Sequence, residues 1–476
     1  MENKHADSNI IEGIVSSIKE VMHGSEEYTI ISDKVININS KIKLNLYDKV
    51  RVDYTLENGH IKAKGVEVIE RKCLKEYNDI LQNLVVEADT ERNKSELLAK
   101  LKKPIRDITV HMIQRMLDSA DMLLRSFISG APIIVRFHGD GDGAIGSIAL
   151  YKALEKIQKK MFLNERGMKW LINKGITYDL ESFYLDSMFF NDYKSIEKPL
   201  ICIIDFGTNP GSNDAIKSIS GRYDIIWLDH HNIEKEFIGV SKQYINPLEY
   251  GGTSDFTAGF LAGIFSELIA DVRIENLKEA ALISDMSKYA DKENYEAGKI
   301  ATVVDFITGV RESTGYLDGP LSPKYMVKIL ENQEKMNSMY SYASEIIKEA
   351  IDAGVQNAKL HKLRNGMTIN IINFEKIADR FSGYLLPGRY SSKLHNKFES
   401  INKKSITIVV FRNYISFRVG RSISDEVNIL EIINDIKSNT EFVESGGGHK
   451  EAASMKIDET KANTILKLVL SKLEIK

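Results

Sequence analysis

Three short apolar runs constrain this chain more than any other feature. Pro132–Phe137 (PIIVRF), Leu200–Asp205 (LICIID) and Asp224–Leu228 (DIIWL) are dense in β-branched residues. Each leads straight into acidic or imidazole side chains. Near-continuous apolar runs suit strands buried on both faces, as in a parallel sheet covered by helices. The segments between them read as helices. The stretch from Ala131 to about Tyr316 is therefore expected to be an α/β domain with a mostly parallel sheet.

The flanks differ. Ile10–Ile18, Tyr28–Ile31, Lys34–Ile38, Lys49–Tyr54 and Ile61–Ile69 read as short strands, with Asn58-Gly59 as a hairpin turn. Five strands in so short a span suit a small OB-like β-barrel. From Leu74 to Phe127 the pattern is helical, with Ile105, Ile108, Met112, Met116, Ala120, Leu123 and Phe127 on one face. A helical stretch from Ser322 to about Ala353 leads to a smaller α/β module. Its expected strands are Met367–Phe374, Ser405–Arg412 and Tyr414–Val419, and its helices lie near Val427–Ile436 and Glu459–Leu473. The expected division is 1–70 barrel, 71–130 helical connector, 131–320 α/β domain, 321–360 helical linker and 361–476 terminal module.

Two cysteines, Cys73 and Cys202, sit in no paired motif, which argues against a thiolate zinc site and a structural disulfide. No apolar run reaches the ~20 residues that span a bilayer, and the polar start does not resemble a signal peptide. The chain therefore reads as cytoplasmic, without a membrane partner. A net charge of −3 does not advertise nucleic-acid binding, so any such role needs a local basic track. Lys94–Arg106 and Lys393–Lys404 are the two stretches that qualify, although either could simply be a solvated face.

The chemistry lies at the strand ends. His138-Gly139-Asp140-Gly141-Asp142-Gly143 follows the first run, Asp205-Phe206-Gly207 ends the second, and Asp229-His230-His231 follows the third. Asp285 follows the apolar stretch Ala280–Ile283. Taken singly, each has an ordinary explanation: a helix N-cap, a turn residue, a core histidine, a surface carboxylate. Together, at the carboxyl ends of neighbouring strands, they converge on one crevice, and so many carboxylates are costly to gather without cations. Mixed His and Asp ligands suit Mn²⁺, Zn²⁺ or Fe²⁺ better than Ca²⁺ or a largely hydrated Mg²⁺. Their number suggests two ions sharing a bridging carboxylate, an arrangement for phosphoryl hydrolysis.

These motifs, in this order, resemble the DHH phosphoesterase superfamily. Its His-x-Asp-x-Asp-Gly motif matches His138–Gly143, its isolated aspartates match Asp205 and Asp285, and its name is the run Asp229-His230-His231. Gly446-Gly447-Gly448-His449 with Ala452-Ala453, and Ser416-Phe417-Arg418, resemble the DHH-associated substrate domain. Ile245-Asn246-Pro247, Gly251-Gly252 and Thr257-Ala258-Gly259 resemble the archaeal RecJ-like exonucleases, some of which carry a cysteine-rich zinc finger that has no counterpart here.

The resemblance implies one ion held by His138, Asp140 and Asp205, and a second held by Asp142, Asp205, His230 and Asp285. His231 would face the scissile phosphate or the attacking water, and Asp229 would orient a histidine. Arg418, Gly446, Gly447, Gly448 and His449 would bind substrate phosphates. The implied cofactors are two divalent ions, Mn²⁺ foremost with Mg²⁺ as the alternative. The implied activity is hydrolysis of single-stranded DNA or RNA from an end, in DNA repair or replication, with a replication-complex partner such as GINS. The rival enzyme reading is a small-nucleotide or oligoribonucleotide phosphoesterase. The rival without catalysis is a replication scaffold, which the complete ligand set argues against.

Overall fold

The computed structural model describes residues 9–21, 25–57, 60–162, 164, 166–173, 175–219, 221–232, 243–314, 322–363, 365–377, 387–448 and 450–475. The Asn58-Gly59 turn and His449 lie outside the described residues. The chain is mixed α/β and forms two units. One reaches Thr308 and takes in the stretch ending at Asn332; the other runs from Gln333 to Lys476 with Gly309–Tyr316. Among the described residues no helix is long and apolar enough to cross a membrane.

The first unit opens with five antiparallel strands, β1 (Asn9–Val21), β2 (Ser25–Ile31), β3 (Val35–Ser40), β4 (Lys49–Glu57) and β5 (His60–Glu70). Their order is β3-β2-β1-β4-β5, and the outer strands β3 and β5 approach each other. Val15, Tyr28, Ile30, Ile36, Val50 and Val52 fill the space between them. Helices Leu74–Val86, Thr90–Lys100 and Ile105–Ser129 follow. The third buries Met112, Met116, Ala120, Leu123 and Phe127, the face its spacing predicts.

The parallel sheet has β6 (Ile133–His138), β7 (Lys169–Asn173), β9 (Leu200–Ile204), β10 (Asp224–Leu228) and β11 (Gln243–Ile245) in the order β11-β10-β9-β6-β7. The short β8 (Tyr193–Ser195) leaves this sheet and pairs with β1, opposite Lys19–Ser17. It takes the edge of β1 that β4 vacates beyond Ile14. Further bonds tie the five-stranded sheet to the parallel one. The Asn37 N–H donates to Asn164 Oδ1, and Asn164 Nδ2 donates back to the Asn37 carbonyl, both at 3.0 Å. The amino-terminal strands are thus built into the unit that carries the parallel sheet.

The second unit is a six-stranded sheet of β12 (Lys359–Lys362), β13 (Thr368–Asn373), β14 (Ser405–Phe411), β15 (Tyr414–Val419), β16 (Val443–Gly448) and β17 (Ala452–Ile457). The order is β12-β13-β14-β15-β17-β16, antiparallel except for β13 and β14. Tyr390, Leu394 and Phe398 of helix Pro387–Ile401 pack in one core with Ile372, Val409 and Phe411. Helices Ile429–Asn439 and Ala462–Ile475 contribute to a separate core with Ile369, Ile408 and Phe417. The helical stretch expected from Ser322 is two helices, Pro323–Leu330 and Gln333–Gln356. Gly446–Gly448 pair with Met455, Ser454 and Ala453 as an edge strand.

Candidate metal centre

The chain crosses from β6 to β7 on one side, then returns to build β9, β10 and β11 on the other. The order therefore reverses between β6 and β9, and a sheet opens a crevice at the carboxyl ends of the strands flanking such a switch point. His138 is the last residue of β6, and Asp205 directly follows β9. Asp229-His230-His231 follows β10, the next strand along.

Asp140 caps helix Gly141–Met161, its side chain accepting the Gly143 N–H at 3.1 Å. A Cβ on Gly143 would stand 2.6 Å from the His138 carbonyl oxygen, so only glycine lets the helix begin this close to the strand it follows. Asp142 lies buried in the first turn and accepts the Gly259 N–H at 3.0 Å through Oδ2. Asp205 adopts a left-handed backbone conformation, φ 71°, which few non-glycine residues tolerate and which here turns a buried carboxylate into the crevice.

Distances bring these groups together. His138 Nδ1 lies 3.3 Å from Asp140 Oδ2 and 3.5 Å from Asp205 Oδ2. His230 Nε2 lies 3.3 Å from Asp205 Oδ1 and 3.9 Å from Asp285 Oδ2. Among the described residues, two sets offer ligand atoms within 4.8 Å of one another: His138, Asp140 and Asp205, and Asp205, His230 and His231. Asp205 is common to both. Asp142 is in neither set but is felt by His230, as are Asp205 and Asp285. Asp285 caps the end of helix Glu275–Ser284 rather than lying within it.

Second contacts aim the imidazoles. His230 Nδ1 is 2.6 Å from the Ser254 carbonyl oxygen, which only an N–H can satisfy, so Nε2 is the nitrogen left to face Asp205 and, once deprotonated, to take a cation. Asp229 is fully buried, and its Oδ1 accepts from the backbone N–H of His230 (2.8 Å) and of His231 (3.2 Å) and meets His231 Nδ1 at 2.8 Å. Burial works to raise the Asp229 carboxyl, but His231 and then His230 hold it at about 2.

The rest of the cluster is electrostatically unsettled. Burial first, then the Asp205 and Asp285 carboxylates, push the Asp142 carboxyl well above the usual range. Burial opposes charge on His138, yet Asp140 and Asp205 raise it to about 10. His230 is likewise driven well up, against burial, by Asp205, Asp285 and Asp142. Asp142 Oδ1, Asp205 Oδ1 and His138 Nδ1 are buried without a hydrogen-bond partner. Buried oxygens and imidazole nitrogens that lack donors, and that take up protons to offset mutual repulsion, fit divalent cations.

Asp305 is a site residue that sequence reasoning missed. It accepts from Ser284 Oγ at 2.9 Å, and a Cβ on Gly141 would fall 2.0 Å from its Oδ1, so its carboxylate covers the start of the helix carrying Asp142. No motif marks it. In the second unit, Arg418 donates to Ser392 Oγ (2.9 Å), Ser416 Oγ (3.1 Å), the Phe417 carbonyl (2.8 Å) and the Gly388 carbonyl (3.1 Å). It pairs with no described carboxylate. Burial, with Arg389 nearby, depresses its pKa.

Comparison with known proteins agrees with this arrangement. Residues 132–290 match the model of the DHH family, N-terminal domain. The chain is 24% identical over 461 aligned residues to the uncharacterized protein MJ1198 of Methanocaldococcus jannaschii, covering 85% of this chain and 59% of that protein. It thus spans less than two thirds of that relative. A solved structure described as the DHH domain of PF0399, a member of a family of ribosomal proteins, superposes with a TM-score of 0.65 at 21% identity, over 82% of this chain and 98% of that one. RecJ from Thermus thermophilus in complex with Mn²⁺ gives 0.47 at 14% identity, over 75% and 54%. The fold likeness rests on the former. The family match lies on the stretch that holds His138, Asp140, Asp142, Asp205, Asp229, His230, His231 and Asp285, and the likeness to the PF0399 DHH domain is one of fold.

Proposed function

We propose that this chain is a two-metal phosphodiesterase that hydrolyses single-stranded DNA or RNA from an end, as a RecJ-like exonuclease. The observation that carries the reading is the crowding of His138, Asp140, Asp142, Asp205, His230 and Asp285 at one strand switch point, with buried ligand atoms left unsatisfied. Divalent ions bound there, Mn²⁺ foremost, supply a water of lowered pKa and neutralise phosphoryl oxygens.

The chain's own residues do the rest. Asp205, common to both ligand sets, would be the carboxylate shared by the two ions. The Ser254 carbonyl holds the His230 ring with Nε2 toward the carboxylates. His231, clamped through Nδ1 by Asp229 and with its side chain 43% exposed, is placed to move a proton at Nε2 near the scissile phosphate. Arg418, a cation without a described counter-ion, is suited to a substrate phosphate. In this reading residues 1–70 are an OB-like barrel, 131–320 the catalytic domain, and 361–476 the substrate-binding domain with Gly446–Gly448 and His449.

The test is end-labelled single-stranded DNA and RNA with Mn²⁺, resolved by product length. Shortening from one end to mononucleotides, stopped by EDTA, is expected. Strands left intact while dinucleotides are cleaved would favour the small-nucleotide phosphoesterase. No cleavage of either, with Mn²⁺ or Mg²⁺, would sink the reading.

A further inference from the structure

We propose that Asp255 is a positioning residue for the metal centre, setting the separation between the His230 ring and the Asp285 carboxylate. The inference rests on the two-metal reading above. His230 and Asp285 come from different parts of the chain, one after β10 and the other at the end of helix Glu275–Ser284. Their ligand atoms lie 3.9 Å apart, and something must keep the two loops in register.

Asp255 bonds to both sides. On one side it follows Ser254, whose carbonyl fixes the His230 tautomer at 2.6 Å, and its own Oδ2 accepts Thr253 Oγ1 at 3.1 Å within that loop. On the other side lies the turn that leaves Asp285 through Met286, a non-glycine residue at φ 54°. Asp255 Oδ1 accepts the Lys288 N–H at 3.0 Å, Oδ2 meets Lys288 Nζ at 2.7 Å, and the Asp255 carbonyl accepts Ser287 Oγ at 2.5 Å. Two side-chain oxygens and one carbonyl thus join the segment that holds the His230 ring to the turn after Asp285. Asp255 and Lys288 belong to neither ligand set, and in this proposal the pair acts through geometry. Groups that orient metal ligands from behind commonly govern affinity about 10–100-fold.

The experiment is Mn²⁺ binding to the full chain by titration calorimetry, with electron paramagnetic resonance to distinguish a spin-coupled ion pair from isolated ions. The parent should bind two ions as a coupled pair. Asp255→Asn keeps the shape of the side chain but loses the charge and one acceptor. It should weaken one of the two sites about 10–100-fold, leave the other at parental affinity, and replace the coupled signal with that of isolated Mn²⁺. Lys288→Met, whose side chain is half exposed and tolerant of change, should shift the same site in the same direction by less.

If the parent binds two ions and both variants match it, the positioning role is wrong while the two-metal reading stands. Equal loss of both ions in Asp255→Asn also overturns it, since that marks collapse of the loop. A parent that binds no ion pair removes the two-metal reading and this inference with it.

Discussion

Asp229 Oδ1 lies 2.8 Å from His231 Nδ1, and the same oxygen caps the backbone N–H groups of both histidines. One buried carboxylate therefore sets the position of the loop and the direction of one ring, without belonging to either ligand set. Asp229→Asn keeps an oxygen for the backbone but removes the charge that favours His231 as an Nδ1 donor. Turnover on a short oligonucleotide is expected to fall about 10–100-fold while Mn²⁺ content, read by mass spectrometry, stays parental. Loss of Mn²⁺ in step with activity would make Asp229 part of metal retention instead.

Asp205 combines a left-handed backbone, burial and the neighbouring Asp140 and Asp142 carboxylates, all unfavourable to the metal-free fold. Asp205→Asn is expected to abolish metal binding and yet raise the unfolding temperature of EDTA-treated protein by a few degrees, a gain of about 1 kcal/mol or more. Scanning calorimetry of both proteins, with and without Mn²⁺, checks this. A variant less stable than the EDTA-treated parent would show that Asp205 supports the fold rather than burdening it.

Much of this centre was legible because its strands are buried on both faces. β6, β9 and β10 show as unbroken apolar runs, and their terminal His and Asp residues announce themselves. The half-exposed β7 and the three-residue β8 and β11 carry no such signature, since short edge strands lack a long apolar pattern. Gly446–Gly448 carry no strand signature because glycine disfavours strands, and cross-strand pairing with β17 overrides that preference. Asp255 and Asp305 were invisible for another reason. Each is one carboxylate among 67 Asp and Glu residues, and only packing against distant segments distinguishes it. The left-handed turn at Asp205 has no sequence mark either.

Arg418 is held by two serine hydroxyls and two carbonyls in a fixed orientation, so its charge is not interchangeable with that of lysine. Arg418→Lys and Arg418→Ala are both expected to weaken oligonucleotide binding about 10- to 100-fold, the equivalent of about 1.5–3 kcal/mol, with both metals retained. Fluorescence anisotropy and metal analysis measure the two properties separately. Unchanged affinity in both variants would remove the second unit from substrate binding.

His395 is buried and bonds Thr407 Oγ1 at 2.9 Å through Nδ1. Burial, with the Arg418 charge adding to it, lowers its pKa from 6.5 to about 4. The imidazole is thus neutral when folded but protonates in the unfolded chain below about pH 6.5. The unfolded state binds the extra proton between those values, so stability is complete above pH 6.5 and declines as pH falls toward 4. The loss is of the order of 3 kcal/mol. His395→Gln is expected to flatten that decline in urea titrations at pH 7 and pH 5. Parallel losses in parent and variant would assign the pH dependence elsewhere.

The pairing of β8 with β1 has a consequence for inheritance. Four residues separate β8 from β9, the strand that delivers Asp205, and its partner β1 is the first strand of the unit. A recombination event that replaced the amino-terminal strands with a foreign sheet would strip β8 of its neighbour and leave Ser195, Lys194 and Tyr193 facing a mismatched edge. The amino-terminal strands and the parallel sheet are therefore coupled through β1 and β8. Lineages of this chain should exchange the second unit, whose sheet is complete in itself, more readily than the first seventy residues.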